Sequence, residues 1–284
     1  VLEIIGASEN IANIWEELFK LAHNNGILCQ RSNEKFQMEQ IKMQFEKREL
    51  SVVELFCGGG NETVLFSDKE SFIKLNRLFS YQLLDKYPGM IPMAVYVEVT
   101  GNYSDDYKRL MQESEKKKNV MEPQWDMFTV PFAMMDRSTF QPYSSVKEIG
   151  GQPVRMSDEC RSKYEIGQKL RNEKKEIRFF DEMVTAKGKE SLLAVVHADG
   201  NNMGTKIMGM LKGEQEYDKA VVLMREFTKT TADCFETKGD KALEDCFERL
   251  IEANSTKLAD GKVKERSFAY RRVIGSGDDV TFIC

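Results

Sequence analysis

Three aspartates are the residues of this chain best suited to do chemistry. Asp199 ends an apolar run, residues 192–198, and opens the motif Asp199-Gly200-Asn201-Asn202-Met203-Gly204. Asp278 and Asp279 follow the glycine-rich turn Gly275-Ser276-Gly277, which lies between two β-prone segments. Clustered carboxylates repel one another and raise each other's pKa unless a cation neutralises them. A purely oxygen ligand set suits hard Mg2+ or Mn2+. Two such ions, roughly 3.5–4 Å apart, activate a hydroxyl and hold a triphosphate. The expected chemistry is metal-dependent nucleotidyl transfer, with Asp199, Asp278 and Asp279 as metal ligands and catalytic acids. Neighbouring residues of a strand face opposite ways. Asp278 and Asp279 are therefore expected to divide the work, one binding metal directly and the other supporting it or completing a second ion's shell. Gly200 permits close backbone approach. The amides of Asn202, Met203 and Gly204 open a helix that can cradle phosphates. Lys206 is a weaker candidate, since a surface lysine is its ordinary reading.

A lone Gly-Asp-Asp carries little information, because Gly-Asp commonly marks ordinary turns. The signal sharpens when it is combined with an apolar strand ending in Asp-Gly-Asn-Asn-Met-Gly and with a degenerate twin upstream. Other residues compete poorly. His197 lies on the apolar run and reads as a core or pocket-wall residue. Cys160 has no second cysteine nearby, which argues against zinc. Trp15, Met203, Met208 and Met210 read as core at helical spacing.

The elements that must position the acids can be read from periodicity. Residues 1–5 read as a strand already under way, and 11–21 as a helix with Ile11, Ile14, Trp15, Leu18 and Leu21 on one face. Residues 37–48 read as a polar helix and 50–57 as a strand. Gly58-Gly59-Gly60-Asn61 reads as a tight hairpin turn and 63–66 as the returning strand. Ser67 is the expected cap of a helix ended by Tyr87-Pro88-Gly89. Residues 93–99 read as a strand. This order is β-α-β-β-α-β, that of a ferredoxin-like fold. Residues 103–118 read as a helix, 131–159 as a linking insert and 162–173 as another helix. A strand over 192–198, helices over 216–252, a strand over 269–274 and a strand over 280–284 complete the chain.

The two ends look like a divergent internal repeat. Ala7-Ser8-Glu9-Asn10-Ile11 aligns with Asp199-Gly200-Asn201-Asn202-Met203, and Gly58-Gly59-Gly60-Asn61-Glu62 with Gly275-Ser276-Gly277-Asp278-Asp279. The second copy keeps aspartates at both places and the first does not. The expectation is an α+β protein of two ferredoxin-like (βαββαβ) palms. A degenerate palm over 1–100 and a catalytic palm over 191–284 would be joined by a mostly helical insert over 101–190. The second copy lacks its last helix and strand, so it is expected to continue past Cys284.

Bulk properties bound the function. The 284 residues suit two domains, and 41% hydrophobic with 31% charged residues suits buried cores. A net charge of −5 argues against non-specific coating of nucleic acid, while leaving room for a local basic groove or a place in a larger assembly. Two histidines, His23 and His197, exclude a histidine-rich metal centre, and no His-Asp dipeptide exists for a phosphohydrolase. Six scattered cysteines without a CxxC pair read as reduced thiols of a cytoplasmic protein. No apolar run spans a bilayer.

Ala198-Asp199-Gly-Asn-Asn-Met-Gly204 with Gly275-Ser-Gly-Asp-Asp279 resembles the second palm of the large subunit of type III CRISPR effector complexes. Gly58-Gly-Gly-Asn-Glu-Thr-Val-Leu-Phe66 resembles that subunit's first palm, where the metal-binding acids are lost. Arg137-Ser-Thr-Phe-Gln-Pro142 resembles the start of its inter-palm linker. The resemblance implies ATP as substrate, cyclic oligoadenylates as product, divalent metal at the second palm, and guide RNA and further complex subunits as partners. It carries the metal and catalytic roles onto Asp199, Asp278 and Asp279, and sets Ser276 and Gly277 against the nucleotide. Ser276 replaces a glycine of the family's usual turn, and of its four-cysteine zinc site only Cys160 is present. Two other functions are compatible with these residues. One is a non-catalytic nucleotide-binding scaffold subunit, the other a free-standing cyclic-nucleotide synthase related to diguanylate cyclases.

Overall fold

The computed structural model describes residues 2–58, 60–120, 133–173, 193–254, 256–257, 263–264, 270–276 and 278–284. The chain opens on helix α1 (Leu2–Asn24), followed by β1 (Cys29–Gln30), α2 (Met38–Glu46), and the hairpin β2 (Val52–Gly58) and β3 (Asn61–Phe66). After it come α3 (Lys69–Lys86), α4 (Tyr103–Val120), a second hairpin of β4 (Ser145–Ile149) and β5 (Gln152–Met156), and α5 (Asp158–Glu173). The last third has β6 (Val195–Asp199), α6 (Met203–Met210), α7 (Tyr217–Ala232), a π-helical stretch (Asp233–Lys238) and α8 (Gly239–Asn254). Two short strands, β7 (Thr256–Lys257) and β8 (Val263–Lys264), precede the closing hairpin of β9 (Arg271–Ser276) and β10 (Asp279–Ile283). The protein is a mixed α+β structure with small sheets.

The first sheet has the order β1-β2-β3, with β1 parallel and β3 antiparallel to β2. Five consecutive β2 residues are buried because helices cover both faces. On one side Ile14, Leu18 and Ala22 of α1 meet Leu75, Phe79 and Leu83 of α3 over Val52. On the other, Tyr217, Ala220, Val221 and Met224 of α7 lie over Val53, Leu55 and Phe56, with Ile41 of α2 and Tyr103 of α4. The core of the first sheet is thus closed by a helix from the last third of the chain. A bulge at Leu55 leaves two carbonyls out of the ladder. Arg225 of α7 satisfies them, donating to Leu55 O at 2.7 Å and Glu54 O at 2.8 Å, with a third bond to Glu34 O. Asp106 of α4 accepts from the Tyr217 hydroxyl at 2.6 Å and from Thr100, tying α4 to α7.

Several expectations are corrected. The segment expected as a first strand, residues 1–5, is helical from Leu2 onward; Val1 lies outside the described residues. Gly6, Asn10, Ile14 and Leu18, four apart, form one buried stripe, and this period outweighs the local β-propensity of the first residues. Tight crossing with α5 adds to it. A Cβ on Gly6 would overlap the backbone of Lys163, and one on Gly167 the backbone of Leu2. Residues 93–99, expected as a strand, form none and pair with no strand among the described residues. Lys117 and Arg109 of α4 donate to the carbonyls of Ala94 and Glu98 in place of a neighbouring strand. The β-α-β-β-α-β order is therefore not met in the first copy. The cap of α3 is Asp68, whose carboxylate accepts from Ser71 N at 2.8 Å; the Ser67 hydroxyl donates to that carboxylate. The insert contains the β4–β5 hairpin, with Gly150 and Gly151 at φ 60° and 78° in its two-residue turn. Among the described residues no helix is long and apolar enough to cross a membrane.

Candidate functional site

The second sheet has the order β6-β10-β9 with both pairings antiparallel. Asp279 opens β10 directly opposite Asp199, the last residue of β6, and on its other side it pairs with Ser276. Residues directly opposite in adjacent antiparallel strands share a face with Cβ atoms about 5 Å apart, and like charges there are unfavourable. Asp278 occupies the turn between Ser276 and Asp279. Its carbonyl accepts from Gly200 N at 3.1 Å, pinning the turn to the motif after β6. Ligand oxygens of Asp199, Asp278 and Asp279 all lie within 4.8 Å of one another. The three acids singled out from the sequence are brought together, with Asp199 exposed and the pair half-buried.

The electrostatics follow from that geometry. Burial, then the hydrogen bond and charge of Asp199, then the charge of Asp278 raise the pKa of Asp279 above the ordinary aspartate value, and His197 partly offsets this. His197 is a correction: it is exposed rather than core, and its Nδ1 lies 2.8 Å from the Thr281 hydroxyl. His197 and Thr281 face one another two rows along from Asp199 and Asp279, so alternation puts all four on one sheet face. Counting residues by twos back from Asp199 would have found it.

Gly200 does permit a close approach, but to the turn itself. A Cβ there would lie 2.7 Å from Asp278 Cβ, 2.8 Å from its Oδ2 and 2.9 Å from Met203 Cε. Asn201 is exposed, and Asn202 caps α6 in the left-handed region at φ 57° without a side-chain hydrogen bond. Met203 and Gly204 begin α6, and a Cβ on Gly204 would meet open space. Lys206 stands near this start, its Nζ 4.0 Å from Met203 Sδ. Ser276 closes the hairpin through its backbone; Gly277 lies outside the described residues. The methionines divide: Met210 packs against the core beneath α7, whereas Met208 is 41% exposed. Cys160 is buried beside the Ser138 hydroxyl at 3.4 Å.

The matching hairpin of the first sheet differs in register. Gly58 pairs with Asn61, as Ser276 pairs with Asp279. Asn61 therefore stands in the place of Asp279, Gly60 in that of Asp278 and Glu62 in that of Val280, one residue away from the alignment drawn on sequence. Ala7, aligned with Asp199, lies inside α1. Glu62 consequently falls on the face of Val64 and Phe66, towards α1 and α3. Both its carboxylate oxygens are buried with only the Cys57 thiol, a weak donor, facing them, and burial followed by the charge of Glu54 pushes it up to about 8. Glu54, itself buried, holds the nearby cation, accepting from Arg31 Nε at 2.6 Å.

Comparison with protein-family models gives no match, and comparison with curated proteins gives none either. The function must be argued from the site itself.

Proposed function

We propose that the chain is a metal-dependent nucleotidyltransferase built on a palm, and within that class the cyclic-oligoadenylate-forming subunit of a type III CRISPR defence complex. The observation that carries it is the meeting of Asp199, Asp279 and Asp278, with ligand oxygens within 4.8 Å of one another. The donor set fits a hard divalent ion: it is all carboxylate oxygen, and burial first, then the charges of Asp199 and Asp278, raise the pKa of Asp279, a cost that a bound cation relieves. The strand order β6-β10-β9, all antiparallel, is that of the first three strands of a ferredoxin-like palm and supports the same reading. Mg2+ or Mn2+ held by Asp199, Asp278 and Asp279 would polarise a phosphoryl oxygen and lower the pKa of an attacking hydroxyl. The chain's own residues do the rest. Gly200 keeps the motif backbone against Asp278. The amides of Asn202, Met203 and Gly204 at the start of α6 receive phosphate oxygens of ATP. Ser276, where β9 ends, would stand against the nucleotide.

The test is incubation of the full chain with labelled ATP and Mn2+, with the products resolved, beside calorimetric titration of Mn2+ alone. Expected are 3′–5′-linked cyclic adenylates and Mn2+ binding that Asp279→Asn weakens. Absence of Mn2+ binding overturns the metal site. Mn2+ and ATP binding without turnover replaces the enzyme with a scaffold, and a guanylate product moves the reading towards a guanylate cyclase.

A further inference from the structure

The hairpin that carries the acids has an arginine, Arg272, against its turn-leading glycine. Arg272 lies on β9 opposite Phe282, and the ladder then skips Val273 to pair Ile274 with Thr281. Past this irregularity the Arg272 guanidinium occupies the space beside Gly275, the residue that leads into the acidic turn. A Cβ on Gly275 would overlap Nε, Cζ and Nη2 of Arg272. Gly275 is not among the glycines with positive φ, so its backbone conformation does not require glycine. The arginine does. The Nη1 edge pairs with the Asp240 carboxylate. Asp240 is the second residue of α8, just past the π-helical stretch that packs against β9 and β10. The side chain is 17% exposed, and Nε and Nη2 are buried with no hydrogen-bond partner among the described residues. Burying donors unpaired costs free energy. The ion pair with Asp240 engages Nη1 and leaves these two donors unsatisfied.

We infer that Arg272 is a positioning residue of the acidic turn. Held by Asp240, its guanidinium is a rigid platform under Gly275 that fixes where β9 ends, and so holds Asp278 and Asp279 opposite Asp199. Arginine suits this task because its fork is planar and preorganised, whereas lysine offers a flexible point charge. The inference rests on the reading of the three acids as a metal site. It makes the glycine and the arginine one device: glycine is needed at 275 only while the guanidinium lies there.

The experiment compares full-length Arg272→Ala, Arg272→Lys, Gly275→Ala and the double variant Arg272→Ala/Gly275→Ala. Affinity for Mn2+ alone is measured by calorimetry, and amide hydrogen exchange over residues 275–281 without metal. Supporting outcomes are a loss of Mn2+ affinity of about tenfold or more in each single variant, including Arg272→Lys, with faster exchange in the turn. The double variant should be no worse than Arg272→Ala, because the overlap at 275 disappears with the guanidinium. In turnover with ATP the loss should fall on kcat with KM little changed, a split that general destabilisation does not produce. Single-variant effects that multiply in the double variant, or Mn2+ affinity and turn exchange both at wild-type values in Arg272→Ala, overturn the inference. A wild-type chain that binds no Mn2+ fails the metal-site reading instead, and the exchange measurements still decide whether Arg272 orders the turn.

Discussion

The two glycine hairpins of this chain close the same way and differ in what surrounds them. Each has a two-residue loop, one closed by Gly58 and Asn61, the other by Ser276 and Asp279. Beyond the turn, β10 has β6 beside it and so gains Asp199, while β3 has no strand on its outer edge among the described residues. Glu62, one residue past the closing position, is turned by the pleat onto the buried face, where Val280 sits in the other hairpin. A carboxylate displaced by one residue thus changes from a member of an acidic cluster into a buried liability. A turn sequence is therefore not a site by itself. The neighbouring strand and the parity of the acid decide.

The largest expected effect separates the hairpins at Asp278. Asp278→Asn is nearly isosteric and removes one of three clustered charges. With metal, losing about 3–4 kcal/mol of charge stabilisation slows nucleotidyl transfer roughly a hundred- to a thousand-fold. Without metal the melting temperature should stay level or rise, since repulsion with Asp279 is relieved. Turnover near the wild-type rate would remove Asp278 from the site.

A smaller loss is expected for Gly200→Ala. The new Cβ meets the Asp278 side chain at 2.7–2.8 Å, and although Met203 can swing away, Asp278 must shift. Mn2+ affinity should fall about tenfold with the fold retained. An unchanged affinity would mean that the contact between Gly200 and the turn is not needed to hold the acids.

Glu62→Gln probes the other hairpin through pH. The folded-state pKa of Glu62, about 8, lies above its ordinary value of 4.5, so the folded chain holds a proton there that the unfolded chain releases. The sign follows: the group's full contribution is present below about 4.5, and it is lost as pH rises through about 8. The slope is at most about 1.4 kcal/mol per pH unit. The facing groups are Glu54, the Cys57 thiol and Arg31, and Arg31 is already engaged by Glu54 and Glu16. Glu62→Gln should therefore melt higher than wild type at pH 8.5 and close to it at pH 5. Parallel pH profiles for the two proteins would show that Glu62 has a charge partner when folded.

Much of this was legible in sequence, for physical reasons that also mark the failures. The acids, the helix periods and both hairpins could be read because each depends on local spacing. The strand expected over 93–99 failed because β-propensity is local but pairing is not, and Lys117 and Arg109 bind the carbonyls of Ala94 and Glu98. The β4–β5 hairpin did carry a signal, Gly150-Gly151 between alternating residues, masked by Pro153, a residue that usually disfavours strands. Three successive glycines at 58–60 could not say which two form the turn, so the register of the first hairpin slipped by one. Arg272 under Gly275 had no sequence signature, since the contact depends on the skipped residue at Val273.

The smallest effect is expected where a sequence alignment would forecast a gain. Asn61→Asp puts a carboxylate in the hairpin place of Asp279. The change is isosteric at an exposed position, so the fold should be retained. One carboxylate is not a metal site. Gly60 supplies no side chain where Asp278 stands, and Glu62 lies on the opposite face with its oxygens buried. Ala7, which the sequence aligned with Asp199, is held inside α1. The titration of Mn2+ into Asn61→Asp should match the wild-type stoichiometry and affinity, and combining it with Asp279→Asn should restore nothing. A second Mn2+ site in Asn61→Asp would show that one acid on an unaccompanied strand suffices, and the contrast between the hairpins would then reduce to a single residue.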